Sequence, residues 1–133
     1  MEEIDARRAL ELLTDVVDRA GEDFVYEHQD MTDLRGSFEY GGPSRGCRYL
    51  DQDNHPSCLV GHVLVRAGTS TEALNKLDVL GVSAKSLADY GLRVDEKAST
   101  VLCTAQRTQD AGKSWGEALR LARQRYEKIM ESE

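Results

Sequence analysis

Trp115, Leu119, Ala122, Tyr126 and Ile129 follow one another at steps of four, three, four and three residues. That spacing returns each side chain to one side of a helix, so the chain must supply apolar surface to cover the stripe. Ser114 with Glu117 has capping-box spacing and predicts where this helix starts. The stripe also suits a coiled-coil seam, but a seam needs about three or four heptads, and one short helix packing on its own core is the expectation. A second amphipathic stretch runs from Ile4 to Ala20, with Ala6, Ala9, Leu10, Leu13, Val17 and Ala20 on one face. Glu2, Glu3 and Asp5 lie at its start, where the positive end of the helix dipole favours them, and Gly21 supplies a stop.

Further helices are predicted between these two. Asn54 before Pro56 starts one that runs to Ala67, with Gly68 as its exit. Thr69 with Glu72 starts a short one to about Leu80, and Ser83 another that ends before Gly91. Asp95 caps a longer helix to about Ala111, closed by Gly112, with Ala98, Val101, Leu102 and Ala105 inward. The region after the first helix differs in character. Phe24–His28, Ser37–Tyr40 and Cys47–Leu50 are short, aromatic or β-branched, and are divided by Gly36, Gly41, Gly42, Pro43 and Gly46. They read as two or three strands of a small antiparallel ribbon. The expectation is an α+β fold: one domain over residues 1–133, mainly helical, with about five helices and a β-ribbon after the first. Gly41–Gly46 lacks the Gly-Lys-Ser/Thr ending of a phosphate loop and reads as a hairpin turn.

Composition narrows the function classes. Of the 133 residues, 40% are hydrophobic and 31% charged, the balance of an ordinary globular chain. The longest apolar stretch, Cys58–Val65, is broken by Gly61 and His62 and is far shorter than the roughly 20 residues that cross a bilayer. The opening Met-Glu-Glu-Ile-Asp is acidic where a secretory signal is basic, so a cytoplasmic protein is expected. An odd number of cysteines, Cys47, Cys58 and Cys103, points to reduced thiols, with a Cys47–Cys58 disulfide as the open alternative. The net charge of −7 is uneven: residues 1–66 hold 14 acidic and 7 basic side chains, residues 67–133 ten of each. Such a surface repels phosphate backbones, which disfavours nucleic acid and favours a protein partner with a basic surface. Arg120, Arg123, Arg125 and Lys128 are interleaved with Glu117, Glu127, Glu131 and Glu133, as on a solvated helix face.

Chemistry-bearing residues concentrate between Cys47 and His62. Helical spacing makes Cys58 and His62 neighbours one turn apart, and three readings of them stay open. Cys47, His55, Cys58 and His62 are the two-sulfur, two-nitrogen set of a structural zinc site, although C-x7-H-x2-C-x3-H is not a zinc-finger spacing. Cys58 in a first helical turn, with His62 as base, could be a nucleophile, with Asp51, Asp53 or His28 to orient the imidazole. Cys58 could equally be a small core hydrophobe and His62 a partly exposed helix residue, with Gly61 there to let a neighbouring strand cross closely. Asp51–His62 is not an EF-hand loop, since Pro56 and His62 stand where Gly and Glu belong. Cys103 reads as core.

Cys47-Arg-Tyr with Pro56-Ser-Cys-Leu-Val-Gly-His-Val-Leu, and Ala105-Gln-Arg-Thr-Gln-Asp-Ala-Gly-Lys-Ser-Trp-Gly-Glu-Ala-Leu119, resemble a group of small uncharacterised proteins of actinobacteria and their phages, over less than a quarter of the chain. The resemblance implies a phage or mobile-element accessory protein that acts by occupying a host protein. Charge and resemblance together lead to a non-enzymatic binding or regulatory protein without a cofactor. Its contact surface would be the acidic first helix and a ribbon carrying Tyr26, Tyr40 and Tyr49, since tyrosine is enriched at interfaces. Against this stand tyrosines packed on the second helix, a Cys58–His62 enzyme, and the zinc domain.

Overall fold

In a computed structural model, residues 1–27 and 48–132 are described. Five α-helices and one 3-10 helix account for most of them. They are α1 (Ala6–Ala20), α2 (Leu59–Arg66), α3 (Thr71–Leu80), the 3-10 helix Ala84–Tyr90, α4 (Glu96–Asp110) and α5 (Trp115–Glu131). Each α-helix starts where a short side chain takes up an otherwise unpaired backbone N–H. Asp5 accepts from Arg8 N, Ser70 from Ala73 N, Asp95 from Ala98 N and Ser114 from Glu117 N. Gly81 and Gly91 end α3 and the 3-10 helix in the left-handed conformation that glycine adopts without strain.

α4 is the hub. Its inward side chains Ala98, Val101, Leu102 and Ala105 are buried, and it packs against α1, α2, α5 and the 3-10 helix. The α5 stripe is covered by the chain's own core: Trp115, Leu119 and Ala122 are buried, and Tyr126 and Ile129 pack against them. The starts of α1 and α4 are tied by a parallel bridge between Ile4 and Val94, with Ile4 N donating to Arg93 O at 2.8 Å and Asp95 N to Ile4 O at 3.1 Å. Ile4 is therefore buried as a bridge residue and not as a helix residue, and α1 begins only after its cap, Asp5.

The expected α+β fold is corrected by this structure, which is mainly helical. Among the described residues there is no β-strand, only three isolated bridges: Ile4–Val94, Val25–Ser114 and Leu50–Pro56. Val25 pairs with the residue that caps α5 instead of with a neighbouring strand. Leu50 pairs with a proline, which has no N–H with which to continue a ladder. The predicted strand Ser37–Tyr40, the glycine turns Gly36–Gly46, His28 and Cys47 lie outside the described residues. The second helix is also shorter than the expected Pro56–Ala67. Ser57 N and Cys58 N still donate to Tyr49 O and Arg48 O, so this backbone is held in a tight reversal and coils only from Leu59. No helix among the described residues is long and apolar enough to cross a membrane.

Candidate functional site

The reversal from Arg48 to Cys58 is fixed by two buried polar side chains on other helices. Asp78 of α3 accepts from Tyr49 N (2.8 Å) and Leu50 N (3.1 Å) through its two carboxylate oxygens. Gln109 of α4 accepts through one oxygen from Leu59 N (2.8 Å) and from the Trp115 indole N–H (3.1 Å). One amide thus joins the starts of α2 and α5. Burial without such partners would cost about 1–3 kcal/mol per unsatisfied N–H. Gly61 completes the packing, because a methyl group at its Cα would land on the Tyr49 carbonyl oxygen. The close crossing read from that glycine is present, made by irregular backbone instead of a strand.

Cys58 is the N-cap of α2 and not a first-turn residue. It is fully buried, and its sulfur accepts from Gly61 N at 3.3 Å. The sulfur therefore does the work that a serine or aspartate does at the other helix starts, and an electrophile could reach it only by displacing core side chains. His62 turns its ring toward α5, edge-on to Trp115 with centroids 5.5 Å apart. Burial first, and the Arg66 charge second, push the His62 imidazole below its ordinary pKa.

The other candidate metal ligands are placed elsewhere. His55 stands on an exposed turn, 76% open to solvent, with Nδ1 4.0 Å from Asp51 Oδ2. Asp51 Oδ1 accepts from Asp53 N and His55 N, and these bonds hold its carboxyl below the usual range. The metal-ligating groups that approach one another among the described residues are Asp51, Asp53 and His55, all on this turn; His55, Cys58 and His62 do not gather.

Two of the three tyrosines expected as contacts, Tyr26 and Tyr49, are buried. Tyr49 is 1% exposed, with its hydroxyl donating to Val82 O at 2.6 Å; Tyr26 is 6% exposed, with its hydroxyl accepting from Arg48 N at 3.1 Å. Each ring fills core while its hydroxyl closes a backbone gap, as buried tyrosines do. Tyr40 lies outside the described residues. Among the described residues, the exposed aromatic group of this corner is Phe24, whose ring centroid lies 4.3 Å from that of Trp115.

A shallow groove of about 610 Å³ runs between the starts of α1 and α4 and the end of α5, lined by Asp5, Lys97 and Tyr126 among others. It holds charges of both signs and none of the candidate residues.

Gln109 and Asp78 were legible as anomalies. Gln109 follows Ala98, Val101, Leu102 and Ala105 on the inward face of its helix, and Asp78 stands four residues after Leu74. A polar group at an inward position must find a buried partner. Comparison with known proteins finds no match: no family model, curated protein or solved structure is similar to this chain.

Proposed function

We propose that this chain is a small acidic, non-enzymatic protein-binding or regulatory protein, of the accessory kind that phages and mobile elements carry, acting on a host protein with a basic surface. The observation that carries the reading is the placement of charge. Between Asp15 and Glu27 stand five carboxylates against Arg19 alone, and every one of these side chains is exposed. A one-sign surface of this kind steers an oppositely charged partner and rejects nucleic acid and anionic lipid. The burial of Cys58 as the cap of α2 supports the non-enzymatic part of the reading, since its sulfur is engaged in holding the helix start.

The test is retention from an actinobacterial lysate on the immobilised chain, with the captured protein identified by mass spectrometry. A discrete host protein should bind at low salt, be released as sodium chloride rises, and be lost with Asp15→Asn, Asp18→Asn, Asp23→Asn and Glu27→Gln combined. Salt-independent retention, or none, overturns the proposal.

A further inference from the structure

The acidic segment surrounds an apolar pair. Phe24 and Val25 are 42% and 48% exposed, and Glu22, Asp23 and Glu27 flank them in the chain. An exposed phenylalanine on a mobile loop would mean little. Here the backbone beneath it is clamped. Trp115 N donates to Phe24 O at 2.8 Å, Gly116 N to Glu22 O at 2.9 Å, and Val25 bridges Ser114. The approach is so close that a methyl group on Gly116 would lie 2.7 Å from Glu22 O. Below the ring lies buried Trp115, itself fixed by Gln109. A rigid aromatic group held out of a core has already lost the freedom that binding would otherwise remove, and such anchors dominate interface energetics.

The geometry points to Phe24 and Val25 as a preorganised anchor for a basic protein segment, one that presents lysine or arginine side chains around an apolar side chain. The inference rests on the proposed binding role and names its surface and the chemistry of its partner. Charge complementarity selects the occupant: the carboxylates pair with the partner's cations while the two apolar side chains take its apolar residue. Val79 and Leu80, at the end of α3, are as exposed but lack that frame. Residues 72–85 hold Glu72 and Asp78 against Lys76 and Lys85, and Asp78 is buried.

Two synthetic peptides of equal charge test this, one alternating lysine with leucine and one alternating lysine with serine. Trp115 is the only tryptophan and touches Phe24, so its emission reports docking at this surface, and peptide anisotropy gives affinities for the variants. The lysine–leucine peptide should saturate at one per chain, weaken with salt, and bind about tenfold or more tightly than the lysine–serine peptide. Phe24→Ser should abolish that preference, Val25→Ser should reduce it, and Val79→Ser should leave it intact. Circular dichroism checks the fold of each variant, and Val25→Ser carries the test if Phe24→Ser perturbs the helices. Equal binding of the two peptides, no binding of either, or an undiminished preference in both anchor variants overturns the anchor. Those outcomes leave the binding role standing, because only the lysate experiment decides that.

Discussion

Two irregular segments, 22–25 and 48–50, are fastened to the same helical core by different means, with opposite consequences for their side chains. The 48–50 backbone donates its N–H groups inward to the Asp78 carboxylate, and Tyr49 and Leu50 are swallowed by the core. The 22–25 backbone instead offers its carbonyls to the first free N–H groups of α5, which leaves Phe24 and Val25 facing water. A helix start can secure a passing strand-like segment without burying it. That is how a chain holds an apolar side chain rigid and exposed at once.

The contrast can be broken at either end. Asp78→Ala strips the acceptor from two buried N–H groups and should cost about 3–5 kcal/mol, read as a lowered midpoint in urea unfolding. Gly61→Ala drives a methyl group into the Tyr49 carbonyl and should cost about 2–4 kcal/mol. Gly116→Ala meets the Glu22 carbonyl, which can shift outward, so a smaller loss of about 1–2 kcal/mol is expected, with a change in Trp115 emission. His62 comes next. Its folded pKa lies below its unfolded value, so the folded chain holds fewer protons in this range, and the stability that neutral His62 contributes is complete above the unfolded pKa. It declines as pH falls through the folded pKa, and His62→Gln should flatten that part of the stability–pH curve. The smallest effect belongs to Phe24→Ser. An exposed ring contributes little to the fold, and a loss above about 1 kcal/mol would show that its packing on Trp115 is structural after all.

Much of the helical frame was legible in the residues, and the reason is local. Ser114, Asp95 and Gly81 sit where helix ends need an acceptor or a left-handed turn, and the Trp115–Ile129 spacing is set by the helix repeat alone. The ribbon was misread because aromatic and β-branched residues mark half-buried extended backbone of any kind. Nothing in Phe24–Tyr26 says that its partner is the start of a helix ninety residues later. The same limit applies to Cys58 and His62. Spacing placed them on neighbouring turns, but the cap role of the sulfur follows from Ser57 N and Cys58 N still being engaged with the preceding reversal. The burial of Tyr26 and Tyr49 is not legible for a related reason: an amphipathic ring suits an interface and a core equally well, and only three-dimensional neighbours decide.

The sulfur cap on α2 gives this protein a built-in clock. A thiol sealed at a helix start is alkylated only when that corner opens, so the labelling rate of Cys58, followed residue by residue in mass spectra, measures how often α2 parts from the Arg48–Leu50 backbone. A ligand that tightens the neighbouring Trp115 corner would slow the clock without touching the sulfur.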